Sequence, residues 1–116
     1  MKWKLWIITE DKTMLRKQIH NPHPGEILQH HFLDELEMKA IDLSRRTGIS
    51  RATLSKIINT NQRITAETDL PLCRFFGLSE GYFLGLQNDY DMLEAKRKSK
   101  VAAMLRGIRP LTEETI

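Results

Sequence analysis

Met38–Asn59, MKAIDLSRRTGISRATLSKIIN, reads as two short helices hinged at one glycine. Ile41, Leu43 and Ile49, then Leu54, Ile57 and Ile58, recur at helical spacing on either side of Gly48. Glycine enters the left-handed backbone region without steric cost, so Gly48 marks where the first helix stops. Ser50 stands where a hydroxyl can cap the second helix by accepting from the free N–H groups one turn on. A connection this short makes the helices cross steeply. Their inner faces bury each other and the second helix projects as a ridge.

What the ridge displays points to a function. Opposite Leu54, Ile57 and Ile58 lie Ala52, Ser55, Lys56 and Asn59, with Arg51 at the exposed N-terminal end. Arg and Lys can donate to guanine O6 and N7, Asn can pair with adenine, and Ala can touch a thymine methyl. A helix N-terminus also attracts phosphate, so the segment is a candidate major-groove probe. The competing reading is an ordinary helical hairpin with a solvated face; hinge, cap and exposed set together favour the probe. Thr60-Asn61-Gln62-Arg63 then forms a polar loop before Ile64 returns to the core. Loops at this place can lie along the phosphate backbone and fix register without reading sequence. The candidate DNA-binding residues are therefore Lys39, Ser50, Arg51, Ala52, Ser55, Lys56, Asn59, Asn61 and Arg63.

Composition narrows the alternatives. A chain of 116 residues suits one domain with a genuine core and is short for an enzyme with several subsites. Cys73 is the only cysteine, so no internal disulfide is available and a reducing cytoplasm suits the chain. No apolar run approaches a membrane span, and Leu5-Trp6-Ile7-Ile8 is too short for a secretory core region. The net charge is only +3, yet Lys39, Arg45, Arg46, Arg51, Lys56 and Arg63 face a single anion, Asp42, within the proposed reader. Glu26, Asp34, Glu35 and Glu37 make the preceding stretch acidic. Charge so distributed fits a polyanionic partner. His30 and His31 are adjacent and point to different sides of a helix, which does not fit a metal site. The acidic residues lack a partner nucleophile and no glycine-rich phosphate loop occurs, so neither an enzyme nor a cofactor is expected.

Leu43, Ser44, Gly48, Ile49, Ser50, Leu54 and Ile57 resemble the L-A-x-x-x-G-[VI]-S-x-x-x-[LI]-S-x-[IL] pattern of the repressor-like (XRE-type) helix-turn-helix family, with Ser44 in place of the usual alanine. Two further stretches resemble the HigA (VapI) group of antitoxins, the plasmid-maintenance antidote proteins. One is His23-Pro24-Gly25-Glu26-Ile27-Leu28, and the other is Phe83-Leu84-Gly85-Leu86-Gln87-Asn88-Asp89-Tyr90-Asp91-Met92, similar to W-L-x-L-Q-x-x-Y-D-L. This resemblance, covering about 20–95, implies an all-α, lambda-repressor-like domain of five to six helices. It also implies a homodimer on operator DNA that represses its own operon and neutralises an mRNA-cleaving, RelE-like toxin. A stand-alone regulator, or a protein-interaction module on the same scaffold, is the alternative.

The remaining expectations follow the chain. Residues 1–19 read as a loosely ordered extension in which Trp3, Leu5 and Ile7 alternate like a lone strand, with Met14 an alternative start. The first helix starts at Pro24, which suits the first helical position, and buries Leu28, Phe32, Leu33 and Leu36. Thr65 caps a helix to Gly77 with Leu70, Leu72, Cys73 and Phe76 inward; Pro71 kinks it or forces a restart near Asp69, itself at a place where the resemblance expects alanine. Ser79 caps a short helix, and a last helix runs from Asp89 to about Arg106. Its late stripe of Val101, Met104, Leu105 and Ile108 either meets a second subunit or packs back on the core. Residues 96–116 complete that helix and end in a frayed tail.

Overall fold

Six helices follow one another in the computed structural model, which describes residues 20–114. They are α1 (Pro24–Ile27), continued by π-helical Leu28–Leu33, then α2 (Ala40–Thr47), α3 (Arg51–Asn59), α4 (Ala66–Phe76), α5 (Tyr82–Arg97) and α6 (Ser99–Arg106). One further turn of helix, α7 (Leu111–Glu114), stands where a frayed tail was expected. The described residues contain no strand, in keeping with the all-α expectation. Trp3, Leu5, Ile7 and Met14 lie outside the described residues.

Pro24 opens α1 as expected, and His23 caps it by accepting the Gly25 N–H at Nδ1 over 2.9 Å. Leu28 and Leu33 are fully buried and Phe32 is half-buried, but Leu36 is exposed, contrary to the i, i+4, i+8 reading. The reason is the hydrogen-bond register. The N–H groups of Asp34 and Met38 donate five residues back, to Gln29 and Leu33, which widens the helix. Leu28 and Leu33 then share one side, and a turn through Glu37 at φ 52° carries Leu36 away.

Of the four residues of α4 expected to face the core, all but Leu70 do so. Leu72 and Cys73 are buried and Phe76 is half-buried, but Leu70 is exposed, and Thr68 and Asp69 take the inner side. Thr65 is at the cap position, yet its hydroxyl makes no cap bond; it sits 3.5 Å from that of Thr68. The helix passes through Pro71 as one element without restarting, although the ring cannot donate to the carbonyl of Glu67.

The partners of Asp69 account for its inward turn. Its Oδ1 accepts from the backbone N–H groups of Phe83 at 2.8 Å and Leu84 at 3.0 Å, and its Oδ2 accepts from Gly81 at 2.7 Å. The Cys73 thiol donates to Oδ1 at 3.5 Å. A carboxyl group only 1% exposed thus caps α5 from another helix. Ser79, the expected cap, contributes only a carbonyl that accepts the Tyr82 N–H. α5 is one continuous helix across Asn88-Asp89, with Phe83, Leu86 and Gln87 buried in its first half. The break falls at Lys98 (φ −76°, ψ 125°). Lys96 and Arg97 favour the negative end of one helix dipole, whereas Lys98 and Lys100 oppose the positive end of the next.

No residue of α6 is buried, and Met104, Leu105 and Ile108 are each more than half exposed. The late stripe therefore does not pack back on the core. The core itself joins Leu28 and Leu33 to Leu43, Leu54, Ile57, Ile64, Leu72 and Phe83. Phe83 stands where the resemblance had tryptophan, and its ring lies 5.4 Å from that of Phe32.

Two outcomes are expected of these buried polar groups. Asp69→Ala leaves three N–H groups at the start of α5 without an acceptor, and denaturant unfolding should show a loss of about 2–3 kcal/mol, with Asp69→Asn losing less. His23 is 1% exposed and its Nε2 has no hydrogen-bond partner among the described residues. Burial pulls its pKa below 6.5, against the opposing pull of Glu26, the Asn61 backbone and Asp91. The unfolded chain binds this proton more readily, so stability is full above the unfolded pKa and falls as pH drops below about 6.5. His23→Asn, whose amide oxygen can still accept from Gly25, should flatten the decline between about pH 7 and 5. Equal slopes in the two proteins would contradict this.

Candidate nucleic-acid interface

The turn between α2 and α3 is held by its own short side chains. Gly48 ends α2 at φ 83°, and its N–H donates to Ser44. The Ser44 hydroxyl donates to the Ile49 carbonyl at 2.6 Å, a bond that alanine at this place would lack. Thr47 donates to the Leu43 carbonyl at 2.7 Å and accepts the Ile49 N–H at 3.2 Å. Ser50 then caps α3, its hydroxyl accepting the Thr53 N–H at 3.1 Å. At the other end of α2, the Lys39 N–H donates to Asp42 at 3.2 Å.

With Leu54 and Ile57 fully buried and Ile58 half-buried, α3 turns Arg51, Ala52, Ser55, Lys56 and Asn59 outward. Each residue of the expected reading face is exposed, as are Lys39, Ser50, Asn61 and Arg63. Asn59 donates to the Ser55 hydroxyl at 3.2 Å, so these two present a joined polar edge. Arg51 and Lys56 have no ion pair among the described residues. Arg46 differs, its guanidinium lying 5.1 Å from the centre of the Phe75 ring.

Concavities flank the ridge on both sides. One, of about 520 Å³, is shared by Arg51, Ala52, Ser55 and Asn59 with Gln29, Ala40 and Ile41. Gln29 is a residue that sequence reasoning missed, because only the π-helical turn brings it beside α3; it donates to Asp34 at 2.7 Å. The other, of about 400 Å³, is lined by Ser50 and Thr53 with Gln62 and Arg63. Asn61 enters the left-handed region at φ 57°, which Asn tolerates better than most residues, and the loop folds so that Gln62 N–H donates to Lys56. Arg63 is not a free cation: its Nη1 lies 2.9 Å from Asp91 Oδ2.

What seats α3 is the stretch around Gly25. A Cβ there would lie 2.0 Å from the Ile57 carbonyl oxygen, so the start of α1 rests directly on the backbone of α3. His23 presents its ring to Tyr90 edge-on, with centroids 5.0 Å apart. Asn21 donates to the Tyr90 carbonyl at 2.9 Å and to Glu94 at 3.0 Å. Gln87 accepts the Ile64 N–H at 2.9 Å. The two stretches that flank the hinge in sequence therefore meet under the loop that follows α3.

Comparison with known proteins agrees with this geometry. The profile of the Cro/C1-type HTH DNA-binding domain matches residues 30–89. An HTH-type transcriptional regulator of Haemophilus influenzae is 33% identical over 74% of this chain and 80% of its own. The structure of the Pseudomonas aeruginosa antitoxin HigA with the higBA promoter superposes with a TM-score of 0.71 at 29% identity, covering 79% of this chain and 99% of that one. An addiction module antidote protein of the HigA family from Coxiella burnetii gives 0.70 at 33% identity, with 79% and 99% covered. The repressor-like fold and the likeness to HigA antitoxins expected from sequence are thus found.

Gly25→Ala should force α1 away from α3. Denaturant unfolding is expected to show a loss of about 1–3 kcal/mol, and the amide resonances of Ile57 and Ile58 should move most in a two-dimensional NMR spectrum. A fully stable variant with unmoved resonances would mean that the two helices are not in contact there.

Proposed function

Because the chain belongs to the Cro/C1-type helix-turn-helix family of DNA-binding domains, we propose that it is an antitoxin that binds a two-fold symmetric operator as a homodimer and represses its own operon. The observation that carries the reading is the outward face of α3, on which Arg51 and Lys56 have no ion pair among the described residues. In this reading α3 enters the major groove. Arg51 and Lys56 donate to guanine, Asn59 addresses adenine and Ala52 meets a thymine methyl, while Ser55 adds a hydroxyl. Lys39, Ser50 and Asn61 contact phosphate, and Arg63 stands in the loop beside them, paired with Asp91.

The homodimer is supported by the uncovered apolar stripe of α6, which a second copy can bury across a two-fold axis. Neutralisation of an mRNA-cleaving, RelE-like toxin in the cytoplasm rests on kinship with HigA antitoxins. A regulator without a toxin is the second reading, and the H. influenzae relative favours it. Co-expression with the product of the adjacent gene separates the two: a toxin that arrests growth alone and not with this protein supports the first.

Titration against an operator and a random duplex tests DNA reading directly. Log K should fall linearly with log[salt], by about 0.9 for each phosphate neutralised, and the two-fold site should be preferred at equal salt. Arg51→Ala should cost about 1–3 kcal/mol and relax preference at one base of each half-site, whereas Lys39→Ala should weaken all duplexes alike and make the salt dependence shallower. A flat salt dependence without site preference would overturn the proposal.

A further inference from the structure

We infer that Asp91 is a built-in counter-ion that withholds Arg63 from DNA phosphate and so lowers the affinity for every duplex. The inference rests on the DNA-reading function proposed above. Arg63 and Asp91 are 63% and 37% exposed, and an ordinary surface pair of that kind exchanges partners freely. This one is anchored. The other oxygen of Asp91 accepts from Gln87 Nε2 at 3.1 Å, and Gln87 Oε1 accepts at 2.9 Å from the N–H of Ile64, the residue after Arg63. Gln87 itself is 3% exposed. A buried amide thus fixes the carboxylate and the backbone beside its cationic partner at once.

The placement gives the pair its consequence. Arg63 lines a concavity on the flank of α3 together with Ser50, Thr53 and Glu67, beside the outward face of the helix and not on it. Phosphate neutralisation supplies essentially all sequence-independent affinity, whereas base contacts supply discrimination. Masking a flanking cation therefore lowers affinity for operator and random duplex alike, and leaves discrimination to the outward face of α3.

Asp91→Asn removes the charge while its amide oxygen can still accept from Gln87. The salt slope of this variant should steepen by about 0.9, the share of one added phosphate, and random duplex should bind a few-fold tighter at low salt. Operator should tighten by the same factor, so the ratio of operator to random affinity should stay as it was. Arg63→Gln in the otherwise unchanged protein should leave the slope as it was, and in the Asp91→Asn background it should cancel the gain. If the unchanged protein prefers its operator but Asp91→Asn alters neither slope nor random-duplex affinity, the inference fails alone. A slope made shallower by Arg63→Gln also overturns it, because Arg63 would already neutralise a phosphate. If the unchanged protein binds no duplex, the DNA-reading function falls and the inference with it.

Discussion

The start of α1 lies on the backbone of α3 with no room for a side chain between them, and the placement of the outward face of α3 depends on that approach. At Gly25 the backbone comes so near the Ile57 carbonyl that even a methyl group has no place. Interiors are packed to crystal density, so a contact of backbone on backbone sets a distance that side-chain rearrangement cannot absorb. Pro24 and His23 prepare the approach, one by presetting the first helical residue and the other by capping the Gly25 N–H. The role of the His-Pro-Gly-Glu stretch is therefore geometric: it sets how far α3 stands out from the body.

A second tier of constraint comes from buried polar groups that satisfy backbone donors of other elements. Asp69 closes the start of α5, and Gln87 receives the N–H of Ile64 where the chain leaves the loop. Unpaired donors in such places cost free energy, and a partner from a distant element makes the bond a tertiary one. α4, α5 and the loop after α3 are thereby locked to one another. The Gln87, Tyr90 and Asp91 signature does this work with three side chains on one face, each turned to a different neighbour.

Charge is distributed on the same principle. Of the cations clustered between Lys39 and Arg63, Arg46 lies over Phe75 and Arg63 is held by Asp91, while Arg51 and Lys56 carry no ion pair among the described residues. A count of charges along the sequence treats these residues alike. The fold separates them into cations already engaged and cations available to a partner.

The hinge at Gly48, the cap at Ser50, the outward set on α3 and the opening of α1 at Pro24 were all legible in the sequence, because each depends on residues within a turn or two of itself. Helical period and local caps are short-range properties, and a single chain displays them. The inward turn of Asp69, the exposure of Leu36 and Leu70, the continuity of α5 and the pairing of Arg63 were not legible. Asp69 sits in α4 and its backbone partners begin at Gly81; between Arg63 and Asp91 lie the whole of α4 and the first half of α5. Nothing in local spacing distinguishes a carboxylate bound for a distant helix end from one bound for solvent. Burial and partner are decided only when the core closes, and there the cost of an unsatisfied buried N–H outweighs the preference of Leu70 for the interior.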